Sequence, residues 1–402
     1  MWIESDGLLT GNFTTENIPN VPRVLMFDLD DTIITPEGKT RPGAPYTEWK
    51  FCKGVVEKLK KVDAQSIIVI VSNQAKLSSY IDEFKTKLEE VISQLHEKGV
   101  VCPILVYVAN GYNMYRKPHT GIISEHFIPF LQKHNVASIA EWIYVGDAAG
   151  RDGDFSDTDR KFLMNIELLM RSLKTIKTAT PYFQEPEQYF LGKKAQPFKL
   201  SGLDPQKFLN SFLKKDTKIK LSDIDTSINY LKPKNEVQEV ILLFGPPGCG
   251  KSTLAKRIEK EWKYIRLNQD TLGSSKAVDN ELRAELENGS SVVLDSTNGR
   301  EARRAEQIKI ARDYFKKTDK PVHIRAFIIN GDLPQAQQRE LAQHLNLVRE
   351  RDGGTRIPEI VYRKYYKEST PPRDNEGFTE IQNVKFLPKF KTALNVLHFM
   401  QR

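Results

Sequence analysis

The sequence predicts an α/β fold of two doubly wound parallel sheets, one in each half of the chain. Strand-type apolar runs alternate with segments of helical period over residues 24 to about 190, and again from 238 onward. Such alternation argues for parallel sheets covered on both faces. Between the two stretches, residues 193–236 are lysine-rich, broken by Pro197, Pro205 and Pro233, and lack a sustained strand pattern. The length of 402 residues suits two domains of about 200 each, large enough to bury separate cores. We therefore expect a first domain over 1–192, a linker over 193–236 with a short helix at PQKFLNSFL, and a second domain over 237–402.

Taken in order, RVLMF is a buried-strand pattern with Asp28 and Asp30 at its C-terminal end. SIIVIVSNQ is a second strand, ending in Ser72, Asn73 and Gln74. IDEFKTKLEEVISQLHEKG is an amphipathic helix, with Ile81, Phe84, Leu88, Val91, Ile92 and Leu95 on one face and Gly99 at its end. ILVYVAN is a third strand, and YRKPHTG after it supplies Lys117. WIYVGD is a fourth, ending in Asp147. Each apolar run thus ends in polar groups suited to phosphate or metal, at the end of parallel strands where ligands gather. In the second half EVILLF, SVVLDS and HIRAFII read as strands and STLAKRIEKEW as a helix.

GPPGCGKS, residues 245–252, fits GxxxxGK[ST] between a strand and a helix, the context this phosphate-binding loop requires. Gly245, Gly248 and Gly250, with Lys251, Ser252 and Thr253, form the candidate ATP site. The glycines let backbone N–H groups turn inward, and the next helix presents its positive end. Lys251 should reach the β- and γ-phosphates, and the Ser252 hydroxyl should ligate Mg²⁺.

The formal net charge of +8 and pI near 9.1 favour a polyanionic partner. A merely lysine-rich solvated surface is the alternative. Cys52, Cys102 and Cys249 are scattered, without metal-ligand spacing, which fits a reducing compartment. Cys249 reads as a small filler within the ATP loop, with an oxidation- or alkylation-sensitive thiol as the alternative. No secretory signal is visible, and the apolar stretches are too short to span a membrane. A nuclear location is expected; FLKKDTKIK is a weak nuclear-signal candidate.

FDLDDT, the Ser72 and Lys117 segments and the distal Asp147 together resemble the haloacid-dehalogenase phosphatase superfamily. Both halves together resemble the eukaryotic polynucleotide kinase 3′-phosphatases through FDLDDT, KTRPG, YRKPHTG, VGDAAGR, FSDTDRKFLMN, GPPGCGKST, NQDTLGS, LDSTN and the IP…YRKYY segment. The resemblance spans roughly residues 20 to 390. It implies an N-terminal phosphatase of Rossmann-like type and a C-terminal P-loop kinase. Vertebrate members carry an N-terminal forkhead-associated domain; only about twenty residues precede the RVLMF strand here, so that domain is expected to be absent.

By this resemblance Asp28 is a nucleophile that forms an aspartyl-phosphate, and Asp30 is the acid and then the base. Ser72 and Lys117 would hold phosphoryl oxygens, and Thr32 would shape the first loop. Mg²⁺ would bind Asp28, the Asp30 carbonyl and Asp147. Asp159, in the FSxxDR segment, is the preferred second distal acid, and Asp152, which gives GDxxxxD, the alternative. Asp154 and Asp157 read as solvated loop carboxylates. Arg41 in KTRPG is a possible phosphate contact or a surface arginine.

In the kinase half, the resemblance implies that Asp270 is the base for the acceptor hydroxyl; its other role would be to cap a helix starting near Thr271. Asp295 would ligate Mg²⁺ through water, and Asn298 would shape its loop. Arg304 would touch the acceptor, with Arg303 as the alternative. Arg349, then Arg351, are candidate lid contacts to ATP, although Leu347 stands where the family has another arginine. The implied function is healing of DNA strand breaks: removal of 3′-phosphates and addition of phosphate to 5′-hydroxyls. RNA ends or a phosphorylated metabolite are the alternative substrates. A monomer is expected, and no repair partner can be named.

Overall fold

The computed structural model describes every residue except 15–16, 39–47, 174, 211–227, 233–236, 388 and 402. The KTRPG stretch with Arg41 and the FLKKDTKIK segment therefore lie outside the described residues. The chain divides into two compact units, Met1–Ser201 (with Gln401) and Gly202–Met400.

The first unit is built on β1 (Trp2–Ser5), β2 (Leu8–Phe13), β3 (Arg23–Phe27), β4 (Ser66–Asn73), β5 (Ile104–Ala109), β6 (Glu141–Val145) and β7 (Tyr182–Gln184). Their order is β1-β2-β5-β4-β3-β6-β7. The five strands from β5 to β7 run parallel, and their order reverses direction between β3 and β6. That reversal makes the crevice where doubly wound sheets bind ligands. β4 is buried along nearly its whole length, as its unbroken apolar run requires of a central parallel strand.

The sheet is mixed, which the sequence did not announce. β1 and β2 form an antiparallel hairpin, and β2 runs antiparallel to β5. Gly7 makes the turn at φ 82°. Three of the four β1 residues are exposed, so β1 has little apolar pattern to read. The helix α1 (Ile81–Glu97) buries Phe84, Leu88, Val91, Ile92 and Leu95 against Leu25, Phe27, Ile68 and Val106. A second long helix, α2 (Thr158–Leu173), follows the loop after β6.

The second unit carries β8 (Gln238–Phe244), β9 (Ile265–Leu267), β10 (Val292–Leu294), β11 (Val322–Ile329) and β12 (Glu380–Val384), in the order β9-β10-β8-β11-β12 and all parallel. β12, EIQNV, is an edge strand with one buried residue, so no apolar run marks it. The helices α3 (Lys251–Trp262), α4 (Gln269–Leu272), α5 (Ser275–Glu287), α6 (Glu301–Thr318), α7 (Gln335–Arg351) and α8 (Glu359–Glu368) complete the part that frames the site.

The expected linker does not stand apart where it is described. The Lys199 N–H donates to the Gly150 carbonyl at 2.8 Å, and Ser201 donates twice to Asp157, so residues 193–201 belong to the first unit. The short helix Pro205–Asn210 packs Phe208 and Leu209 with Leu341, Leu345 and Phe399 of the second. Local polarity hid both attachments. Among the described residues, no helix is long and apolar enough to cross a membrane.

Two candidate active sites

The first site forms where β3 and β6 end side by side. Asp28 leaves β3 with its backbone N–H bonded to the Val145 carbonyl at 2.9 Å. Its carboxylate is buried and accepts from the Lys117 ammonium. Lys117 also lies 2.8 Å from Asp159 and donates to the Tyr144 hydroxyl at 2.9 Å. Tyr144 donates in turn to Asp159 at 2.8 Å, and the Ala148 N–H donates to the other Asp159 oxygen at 3.1 Å. Gly146 permits this approach: a Cβ there would stand 2.4 Å from the Asp159 carboxylate. Asn73 fixes the backbone of Lys117, donating to its carbonyl at 3.1 Å and accepting from its N–H at 2.9 Å.

Asp28, Asp147 and Asp159 each offer a carboxylate oxygen within 4.8 Å of the others. Burial pushes Asp28 well above the usual carboxylate range; Lys117 opposes this, and Asp159 and Asp147 add to it. Burial likewise raises Asp147 to about 7, with Asp159 adding and Lys117 opposing. Burial alone would lower Lys117, but Asp159 and Asp28 together hold it above its ordinary value. Three carboxylates against one ammonium leave an excess of negative charge. Hard oxygen donors of that kind fit a magnesium-sized dication.

Of the two distal acids considered, the structure brings Asp159 beside Asp28 and leaves Asp152 exposed. Asp154 and Asp157 are not solvated loop carboxylates. Asp154 pairs with Arg151 at 3.0 Å. Asp157 is 5% exposed and holds Lys161 and Ser201. Both knit the 147–157 loop together, a tertiary task that a run of polar residues does not reveal. Ser72 is buried, and Gln74 donates to it at 2.9 Å and to Asp30 at 2.6 Å. Thr32 is fully buried, and among the described residues its hydroxyl has no hydrogen-bond partner. Tyr144 was missed from sequence because it sits inside an apolar strand.

The second site surrounds the loop between β8 and α3. Gly250 caps α3 at φ 101°, a conformation that favours glycine. A Cβ on Gly248 would stand 2.9 Å from the Tyr362 hydroxyl. Lys251 is buried and donates to the loop's own Gly245 and Pro246 carbonyls at 2.9 and 2.7 Å. The Ser252 hydroxyl donates to Asp295 at 3.1 Å, while Thr253 is exposed. Oxygen donors from a hydroxyl and a carboxylate beside a phosphate loop fit Mg²⁺ with a nucleotide. Asp295 also takes the Arg266 guanidinium at 2.6 and 2.8 Å and the Asn268 amide. Arg266 and Asn268 carried no sequence signal beyond their place before Asp270.

Asp270 is exposed at the second position of α4. It is not the cap: the Asn268 side chain accepts from the Asp270 and Thr271 N–H groups at 2.8 and 3.3 Å. Asn298 is buried and donates to the Leu243 and Leu294 carbonyls, shaping its loop. Arg349 is exposed on α7, Arg351 meets His398 at 2.7 Å, and Leu347 is buried in the packed face.

Arg304 requires a correction. Its side chain is fully buried, forks onto Glu376 at 2.7 and 2.6 Å, and donates to the Asn298, Gly299 and Thr370 carbonyls. It braces loops and has no face turned to an acceptor. The alternative, Arg303, is held by Asp279 and Glu306. Helical periodicity alone did not tell which arginine points inward.

Residues 23–175 match the family described as polynucleotide kinase 3 phosphatase, and residues 240–352 match the one described as an AAA domain. A bifunctional polynucleotide phosphatase/kinase of Schizosaccharomyces pombe is 31% identical over 397 residues, covering 96% of this chain and 84% of that one. A putative bifunctional polynucleotide phosphatase/kinase of Acanthamoeba polyphaga mimivirus is 29% identical over 419 residues, covering 96% and 90%. A polynucleotide 3′-phosphatase of Saccharomyces mikatae is 26% identical over 224 residues, covering 42% of this chain and 85% of its own. With a phosphatase domain preceding a kinase domain and the likeness running through both, the chain belongs to the family of bifunctional polynucleotide phosphatase/kinases.

Proposed function

We propose that the enzyme heals DNA ends, removing 3′-phosphates and phosphorylating 5′-hydroxyls so that a ligase can seal the break. The observation that carries this is the presence of two phosphoryl-transfer sites of opposite direction in one chain. A DNA 3′-phosphate stays a monoester, because no 2′-hydroxyl can close on it. The net charge of +8 supports a polyanionic substrate. So does the segment preceding Lys117, where the exposed Tyr112 ring lies under the Arg116 guanidinium at 4.8 Å, an aromatic and a cation of the kind that take bases and phosphates. A nuclear site of action belongs to the same proposal.

In the phosphatase, a carboxylate oxygen of Asp28 attacks phosphorus and the P–O3′ bond breaks. Asp30 gives its proton to the departing oxygen, then takes one from the water that cleaves the aspartyl-phosphate. Lys117 and Ser72 hold phosphoryl oxygens, and Tyr144 and Asn73 keep Lys117 in place. Asp28, Asp147, Asp159 and the Asp30 carbonyl would hold Mg²⁺, which neutralises charge on the phosphoryl oxygens when bound. In the kinase, the loop N–H groups and Lys251 hold the ATP phosphates, and Ser252 and Asp295 would hold the accompanying Mg²⁺. Asp270 takes the proton from the 5′-hydroxyl as the hydroxyl oxygen bonds to the γ-phosphorus and the bond from that phosphorus to the β–γ bridging oxygen breaks, releasing ADP. Arg349, exposed on α7, is the lid residue that closes on ATP.

The test is a nicked DNA duplex with 3′-phosphate and 5′-hydroxyl ends, compared with the matching RNA, with and without ATP. Conversion of both DNA ends at a higher kcat/KM than RNA is expected. Faster conversion of RNA would move the substrate to RNA ends.

A further inference from the structure

The Gln74 amide touches both Asp30 and Ser72. It stands just past β4, its backbone N–H bonded to the Ala109 carbonyl at 2.8 Å. Its Nε2 donates to Asp30 Oδ2 at 2.6 Å and to Ser72 Oγ at 2.9 Å. Its Oε1 accepts from the Tyr80 hydroxyl at 2.8 Å. Tyr80 is itself fixed: its N–H donates to the Leu77 carbonyl at 2.9 Å, and its ring meets Phe84 edge-on at 6.2 Å. A phenol donor at the carbonyl end sets which way the amide faces, so the NH₂ group is turned to Asp30 and Ser72. The bond to Asp30 restricts rotation of that carboxyl.

We infer that Gln74, oriented by Tyr80, is a positioning residue that holds the Asp30 carboxyl beside Ser72 for proton transfer to the leaving 3′-oxygen. The role rests on the acid–base assignment of Asp30 above. It makes a distinction by leaving group. A sugar alkoxide must be protonated as the P–O bond breaks. A 4-nitrophenolate leaves as a stable anion and needs no proton. Both substrates pass through the aspartyl-phosphate, whose hydrolysis needs Asp30 as base.

The experiment uses the full chain with Mg²⁺ and pre-steady-state kinetics on a 3′-phosphate oligonucleotide and on 4-nitrophenyl phosphate. Gln74→Leu should lower kcat on the oligonucleotide by about 10²-fold, with KM within about threefold. Its first-turnover burst of 4-nitrophenolate should stay within about threefold of wild type, followed by a slowed steady state. Tyr80→Phe keeps the ring and should act in the same direction, by about fivefold. The double variant should be no slower than Gln74→Leu, because the two residues act through one carboxyl. Equal slowing of the burst and the oligonucleotide reaction would overturn the inference, as would unchanged oligonucleotide turnover. Asp30→Asn is the reference. If it lacks leaving-group dependence, the acid–base assignment of Asp30 fails. If it has that dependence and Gln74→Leu does not, only the Gln74 inference fails.

Discussion

Asp147 illustrates how a single side chain makes folding depend on pH. Its carboxyl titrates near 7 in the folded chain and near 4 when unfolded; Asp28 is displaced in the same direction. Between those values the folded state holds more protons, so stability falls as pH rises. Without Mg²⁺, the melting temperature of the first unit should therefore drop between about pH 4 and pH 7 from this source. Mg²⁺ takes the ionised carboxylates, so its stabilising effect should grow over the same window. Differential scanning calorimetry at several pH values, with and without Mg²⁺, measures both; a Mg²⁺ effect independent of pH would contradict the assignment. Asp270 offers a second residue-scale test. Since Asn268 is the cap, Asp270→Asn should leave thermal stability and ATP binding near wild type. Phosphorylation of 5′-hydroxyl ends should fall by about 10²-fold or more. Near-normal phosphorylation would leave the kinase without its base.

At the scale of elements, α6 is tied to the β12 side of its unit through Arg304 and Glu376. Removing one partner of a buried ion pair strands the other charge and costs about 3–5 kcal/mol. Arg304→Met should thus lower the denaturant midpoint of the second unit markedly, while folded enzyme keeps its KM for the 5′-hydroxyl end. A large rise in that KM with unchanged stability would restore Arg304 to the acceptor site. The same logic of bracing explains Arg266, which holds Asp295 from the neighbouring strand β9. It also explains Asn73, which carries no chemistry but fixes the Lys117 backbone across β4 and β5.

For the whole molecule, two compact units with separate phosphate sites imply separable activities. Asp28→Asn should abolish 3′-phosphatase turnover and spare the kinase. Lys251→Ala should cost the kinase at least about 10²-fold by loss of preorganised charge and spare the phosphatase. Parallel end-labelling assays read both; loss of both activities in folded Asp28→Asn protein would refute independence. Substrate binding should also weaken with salt. Each duplex phosphate neutralised contributes about −0.9 to the slope of log K against log salt, so a flat response would exclude a polynucleotide contacted through several phosphates.

The sequence by itself determined the parallel strands of the two sheets, the phosphate loop and the carboxylates at the strand ends. Apolar runs, glycines at fixed spacing and motif order are local, and FDLDDT and GPPGCGKS can be read without knowing what lies beside them. Partnership between distant segments was not legible. Asp152 was a candidate by spacing and Asp159 by the resemblance of its segment, and the packing of α2 against the end of β6 brings Asp159 to Lys117. Arg304 and Arg303 are adjacent on one helix, and only the fold turns the first into the interior. Gln74 and Tyr144 lay in plain view as polar ends or strand residues, but their roles depend on hydrogen bonds between groups far apart in the chain. β1 and β12 escaped because they lie at sheet edges with few buried residues, one of five in β12 and none in β1, and so carry no sustained apolar run. Tertiary structure decided these points because a buried polar group must find its partner wherever the chain brings one.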